Sequence, residues 1–335
     1  MRRPAPPDEE IIQGGEYAQF VHSPGDAAPA EDERRLAFHG NKDRGSPPPV
    51  QAGNALCYRI SSARRRKIPG KGSRELTRRI LLLLAHPDDE TFGPGGTIAK
   101  YSSEGAGVYL ATATTGQAGM IGDPPVTDRE HLGEVRAAAL RCAARVLGIR
   151  DVAFLGFADG RLAQTPRALL VEKAVDQIRR FRPHVLIGFG PGGVSGHPDH
   201  VVMSEVALEA FDAAADPMRF PRRQPEGLAP WAPCKLYQFE IAQEILDAWN
   251  APLAGVPRES LSAFVDVSAF VERKVEAFSC HRTQAKDSAR ILSREGYREF
   301  ARLETYVLAK TRLPRPGRPE NGLLEDIPDE ETPEP

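Results

Sequence analysis

Ile80-Leu81-Leu82-Leu83-Leu84-Ala85 runs without a polar break into His86-Pro87-Asp88-Asp89-Glu90. The apolar run is of strand length and lacks the alternation of a strand with one wet face. It therefore reads as a parallel strand buried on both sides. A turn rich in glycine and proline follows, and a helix is expected over Gly96–Ser103. The same order then repeats: strand Gly107–Thr114, helix Val126–Leu147 stopped by Gly148, strand Val152–Leu155, helix Pro166–Phe181, strand Val185–Phe189 and helix Pro198–Ala215. Strands and helices alternating in this way predict a doubly wound α/β fold, a mostly parallel sheet with helices on both faces. Short strands near Lys235–Glu240 and Ala263–Val267, with helices over Ser268–Cys280 and Arg294–Leu308, complete the expected domain.

The flanks differ in composition. Residues 1–75 carry Pro47-Pro48-Pro49 and the basic cluster Arg64-Arg65-Arg66-Lys67, with little periodic apolar surface. Such a segment cannot offset the entropy of ordering, and disorder or loose packing is expected. Residues 313–335, rich in proline and acid, read the same way. The catalytic domain is expected over residues 76–312.

A chain of 335 residues with 41% hydrophobic and 27% charged residues has the make-up of a globular protein with a sizeable core. Its net charge of −2 argues against a general nucleic-acid binder. No apolar run approaches the roughly 20 residues that span a bilayer. Arg2 and Arg3 are followed by prolines and acids, unlike a secretory leader. The scattered cysteines (Cys57, Cys142, Cys234, Cys280) form no C-x-x-C pair and are expected to be incidental, neither a disulfide framework nor a zinc site. A reducing, cytoplasmic setting follows. Homo-oligomerisation stays open.

In an open parallel sheet, ligands bind beyond the carboxyl ends of the strands. Two clusters of metal-ligand type fall there: His86-Pro87-Asp88-Asp89-Glu90 after the first strand, and Gly196-His197-Pro198-Asp199-His200 after the fourth. A catalytic zinc takes three imidazole or carboxylate ligands and keeps one position open. His86 and Asp89 can turn to one side as the chain leaves the strand, and His197 and His200 share a face of the next helix. That supplies three ligands and leaves over Asp88 and either His197 or Asp199. A carboxylate beside metal-held water can take its proton, and a histidine can stabilise an oxyanion or protonate a leaving amine. The plainer alternatives are helix caps for Asp88 or Asp89 and a loop-lining role for His197. Two clusters at one sheet edge outweigh them. Gly93-Pro94-Gly95-Gly96 lacks the spacing of a dinucleotide loop.

On His86–Glu90 and His197–His200 the chain resembles the LmbE/PIG-L family of zinc-dependent N-deacetylases. The resemblance covers Ile80 to Leu308, including Thr112–Gly119, Phe154–Gly160 and His281–Gln284. It implies a Rossmann-like, LmbE-like fold and removal of acetyl from an N-acetylglucosamine-type sugar conjugate, a small-molecule substrate. By motif, it implies His86, Asp89 and His200 as ligands of Zn2+, with Fe2+ as the other candidate metal. Asp88 becomes the base, His197 the oxyanion stabiliser or acid, and Asp199 the group orienting a histidine. Asp159 and Arg136 fall where relatives contact substrate; a turn-forming aspartate and a solvated helix charge are their plainer readings. Gln117 stands where the family more often has an acid, and Ser195 where some relatives carry a tyrosine. Cleavage of a thiol-conjugate amide is one alternative, and a zinc-containing sugar-binding protein without turnover another.

Overall fold

The computed structural model describes residues 78–221, 227–251 and 253–328. The first strand, β1 (Arg79–Leu84), is buried along its whole length. It is followed by α1 (Asp89–Phe92), α2 (Gly95–Ser103), β2 (Gly107–Thr114), α3 (Leu132–Leu147), β3 (Asp151–Phe157), α4 (Arg167–Phe181), β4 (Val185–Phe189) and α5 (Pro198–Ala213). The second part contains β5 (Lys235–Phe239), α6 (Gln243–Ala248), β6 (Ala263–Asp266), α7 (Val271–Phe278), α8 (Ala285–Leu292), α9 (Tyr297–Phe300) and β7 (Leu303–Thr311).

These strands form one sheet in the order β3-β2-β1-β4-β5-β7-β6. All but β7 run in the same direction, as expected of a mostly parallel sheet. The register places Leu82 between Leu110 of β2 and Ile187 of β4. Helices α2, α3 and α7 cover one face, and α4 and α5 the other. Burial on both faces explains the unbroken apolar run of β1. The chain passes from β1 to β2 on one side, while β4 enters on the other. Strand order therefore reverses at β1/β4, where such sheets open a crevice at the carboxyl end.

Four expectations fail. Arg294–Leu308 is not one helix but the short α9 and then β7. Tyr306, fully buried, lies between Phe239 of β5 and Ala263 of β6. Pairing on both sides, with Thr305, Tyr306 and Val307 suited to a pleated surface, overrides the helical pattern. The long third helix begins at Leu132 rather than Val126; the Asp128 carboxylate accepts the His131 N–H at 2.9 Å just ahead of it.

The tail is packed through residue 328. Leu323 and Ile327 are buried, and Glu320 bonds Lys235 and Tyr237 inside the domain. The apolar anchors are too sparse to read as a core-forming segment. Finally, Cys142 and Cys280 form a disulfide, with Cα atoms 5.8 Å apart. Packing of α3 against α7 brings them together, a proximity that 138 residues of separation conceal. The expected N-terminal disorder lies outside the described residues. Among those residues, no helix is long and apolar enough to cross a membrane.

Candidate metal and active site

Both clusters meet at the carboxyl ends of β1 and β4. Pro87 disfavours helix at His86, and the chain bends after β1 before entering α1 at Asp89. Asp88 then takes a left-handed conformation, φ 107°. Such a conformation is strained for a residue with a side chain and persists when its surroundings hold it. They do: the Asp88 N–H donates to Glu90 Oε2 at 2.9 Å. Glu90 is fully buried, and its Oε1 lies 2.7 Å from His281 Nε2 and accepts the Thr91 hydroxyl at 2.6 Å. On the other side, Pro198 occupies the first turn of α5 and His197 caps it, its Nδ1 accepting the Asp199 N–H at 3.2 Å.

Three side chains converge with their remaining hydrogen-bonding capacity already used. The His86 Nε2 edge faces Asp159 Oδ1 at 3.0 Å and Asp199 Oδ2 at 3.2 Å, so a proton there leaves Nδ1 as the nitrogen with the lone pair. His200 has Nδ1 3.0 Å from the Gly193 carbonyl, which fixes its proton and leaves Nε2. Its ring is stacked on Phe189, centroids 4.1 Å apart. Asp89 Oδ2 accepts the N–H groups of Ala85 at 3.1 Å and His86 at 2.7 Å, leaving Oδ1. His86 Nδ1 and His200 Nε2 are 3.2 Å apart, and Asp89 Oδ1 is 3.2 Å from His200 Nε2. Ligands about 2.0–2.1 Å from a tetrahedral ion are separated by roughly 3.3 Å. The donor set fits a divalent cation, and partners that orient each ligand are a hallmark of such sites. Among the described residues, the groups of three whose ligand atoms lie within 4.8 Å of one another are His86 with His197 and His200, and His86 with Asp159 and Asp199, while Asp89 Oδ2 lies 3.8 Å from His86 Nδ1.

The four ionisable groups are shifted in different directions. Burial opposes charge on His86, but its hydrogen bonds to Asp159 and Asp199 push it up to about 10 without a metal. Burial likewise opposes charge on Asp89, yet His200 and His86 hold its carboxyl well below the usual range. Burial pushes Asp88 up to about 6, against the opposing Arg136 charge. Burial, with His86 and His200 nearby, pushes His197 down to about 4, leaving a neutral imidazole.

All eight expected site residues gather here. Arg136, 1% exposed, donates to the Pro87 carbonyl at 2.7 Å, to Gly116 O at 2.9 Å and to Asp88 Oδ2 at 3.2 Å. A Cβ on Gly116 would lie 2.5 Å from its guanidinium carbon, so the turn after β2 needs glycine twice over, for space and for its φ of +69°. Asp159 Oδ2 accepts the Ala118 N–H at 2.9 Å. Asp199 accepts the N–H groups of Gly160 and Leu162 at 2.8 and 3.1 Å. Gln117 accepts the Thr115 hydroxyl at 2.9 Å, while Ser195 Oγ lies 3.3 Å from His200 Nδ1. The Gly95-Gly96 helix start, considered for nucleotide phosphate, gives the N–H groups of Gly96 and Thr97 to Glu304 at 2.8 and 2.7 Å. Sequence reasoning assigned no role to Glu90, whose only signal was its place beside Asp88 and Asp89. His281 and the Gly193 carbonyl reach the site only through contacts distant in sequence or set by backbone direction. Beside these side chains opens a cavity of about 360 Å³ whose wall includes Asp88, Asp89 and His200.

The model of the family described as PIG-L, GlcNAc-PI de-N-acetylase, matches residues 81–211. The chain is 35% identical over 243 residues to the 1D-myo-inositol 2-acetamido-2-deoxy-alpha-D-glucopyranoside deacetylase of Rhodococcus jostii (strain RHA1), covering 62% of this chain and 82% of the relative. It is 33% identical over 291 residues to the enzyme of the same name from Rhodococcus erythropolis (strain PR4 / NBRC 100887), covering 75% and 96%. The solved N,N'-diacetylchitobiose deacetylase of Pyrococcus horikoshii superimposes with a TM-score of 0.54 at 21% identity, covering 68% of this chain and 82% of that one, a likeness of fold.

Proposed function

The chain belongs to the PIG-L family, and from that premise we propose that it is a metal-dependent N-deacetylase acting on an N-acetylglucosamine-type sugar conjugate. One observation carries the reading: His86 Nδ1, Asp89 Oδ1 and His200 Nε2 converge beside a buried carboxyl, Asp88, which a purely structural metal site would not need. We assign these three as the ligands of zinc, with iron(II) as the other candidate. When bound, the metal supplies a Lewis acid for the amide carbonyl and lowers the pKa of water toward neutrality.

The remaining steps belong to the chain's own groups. Asp88, raised toward neutrality by burial, takes the proton of the attacking water. His197 is neutral, and its Nδ1 is occupied by the Asp199 N–H, so its proton sits on Nε2. From there it donates to the developing oxyanion. The C–N bond breaks as the leaving nitrogen takes the proton that Asp88 removed from water, so amide and water become acetate and the protonated amine. Asp199 and Asp159 hold the His86 ring. Arg136 and the Glu90–His281 pair hold Asp88 in its strained conformation. The resemblance implies substrate contact for Asp159 and Arg136; because their polar atoms bond the protein, we assign both to positioning.

The test is amine release from a panel of N-acetylglucosamine conjugates, the inositol conjugate among them, with zinc and with chelator. Chelator-sensitive release is expected. Absence of release from every conjugate, in protein carrying one metal ion per chain, would overturn the reading.

A further inference from the structure

Asp88 is held in its strained conformation from two sides, and the two supports are joined by one covalent bond. On one side Arg136, from α3, bonds the Pro87 carbonyl and the Asp88 carboxylate. On the other, Glu90 accepts the Asp88 N–H and is itself held by His281 at 2.7 Å. Cys142 lies on α3 with Arg136, and Cys280 directly precedes His281. Their disulfide, with Cα atoms 5.8 Å apart, therefore ties the helix of the first support to the turn of the second. That turn has little regular structure of its own. Helix α7 ends at Phe278, and one short 3-10 turn, Arg282–Gln284, leads into α8. The tolerance is narrow. A contact beyond about 3.5 Å is no longer a hydrogen bond, so moving His281 by about 0.8 Å breaks its bond to Glu90. Glu90 is fully buried and would keep only the Thr91 hydroxyl on that oxygen. Both cysteines are half-buried, within reach of a small reductant.

We propose that the Cys142–Cys280 disulfide is a redox-sensitive clamp on the catalytic base, and that its reduction by a small dithiol slows deacetylation by releasing Asp88 from its working position. One thiolate of the dithiol attacks a cysteine sulfur, the S–S bond breaks, and a mixed disulfide forms. The second thiolate then displaces the protein sulfur. Two electrons pass to the protein, the dithiol becomes a cyclic disulfide, and its two protons end on Cys142 and Cys280. Reoxidation reverses the exchange. Cys142 and Cys280 are thus positioning residues, acting through Arg136, His281 and Glu90. The inference rests on the deacetylase reading above.

Three proteins are compared at equal zinc content and below their melting temperatures: oxidised wild type, wild type reduced with a water-soluble phosphine, and Cys142→Ser/Cys280→Ser. The phosphine performs the same two-electron reduction, taking its oxygen from water, without offering a thiol to zinc. Misplacing a reacting group by about an ångström costs up to about a hundredfold. In the reduced and the doubly substituted proteins kcat should therefore fall about ten- to hundredfold with KM unchanged. Reoxidation should restore the reduced wild type, and phosphine should not affect the doubly substituted protein. A lower melting temperature with unchanged kcat makes the disulfide a structural staple and overturns the proposal. So does a bond that the phosphine leaves closed, by thiol titration of the folded protein. Hydrogen exchange answers independently of any substrate. The N–H groups of Asp88, Thr91 and Phe92 bond Glu90 and the Asp88 carbonyl. On reduction they should exchange at least about tenfold faster while β1 stays protected. Unchanged exchange at these amides, or loss of protection at β1 as well, overturns the clamp. Faster local exchange with no conjugate turned over upholds the clamp and counts against the deacetylase reading alone.

Discussion

At the residue scale, Asp88 is the most constrained position of the site: strained in backbone, buried, and held from three directions. Asp88→Asn preserves shape and removes the base. Turnover should fall by about 10²–10⁴ while metal content, measured by atomic absorption, stays at the wild-type level. Retained turnover would remove Asp88 from the mechanism. Its support is testable separately. His281 and Glu90 form a buried pair 2.7 Å apart, and losing one partner of such a pair costs about 3–5 kcal/mol. His281→Ala should accordingly lower the melting temperature by about 6 °C or more. It should depress kcat more than KM, since the carboxylate that holds the Asp88 backbone loses its own anchor.

At the scale of elements, the turn after β2 and the entry to β4 make distinct claims. Gly116→Ala places a methyl against the Arg136 guanidinium in a conformation unsuited to alanine. A loss of about 1–3 kcal/mol in denaturant unfolding is expected, with reduced turnover because Arg136 can no longer hold both Pro87 and Asp88. Before β4, the His184 imidazole accepts the Arg79 N–H at 3.0 Å. Burial, then the charges of Arg79 and Arg78, push it down to about 4 from an ordinary 6.5. The folded state therefore binds fewer protons than the unfolded chain between those values. The contribution is complete above pH 6.5 and is lost as pH falls toward 4. A His184→Gln protein should show a flatter decline of melting temperature across that window. An unchanged slope would mean the histidine is not the group responsible.

At the scale of the whole molecule, the tail and the metal both bear on stability. Ending the chain at Leu313 removes Glu320, leaving Lys235, 1% exposed, without its carboxylate and uncovering Tyr237. The truncated protein should melt at least about 6 °C lower, or fail to accumulate in folded form. A metal that binds only the folded chain stabilises it by mass action. Chelation should lower the melting temperature, and zinc should restore it, in wild type and in Asp88→Asn alike. In a His86→Ala protein, zinc should have no such effect.

Much of this architecture was legible along the chain because it depends on local order. Six apolar residues without alternation require a strand covered on both faces, and strands alternating with helices require a parallel sheet. Two clusters of ligand-type residues, each just after a buried strand, then fall at one sheet edge whatever the details of packing. The rest needed contacts between residues far apart in sequence. The strand at Leu303–Thr311 exists because β5 and β6 pair with it on either side. Cys142 meets Cys280 through the packing of two helices. Which nitrogen of His86 and of His200 faces a metal depends on Asp159, Asp199 and the Gly193 carbonyl. Glu90 holds Asp88 with the help of His281, 191 positions away. The sequence by itself determined which chemical groups stand at the sheet edge, since strand and loop patterns are set by neighbouring residues. Only the tertiary structure decided how those groups are oriented and what cavity opens beside them, because hydrogen-bond direction and enclosed volume arise where distant segments meet.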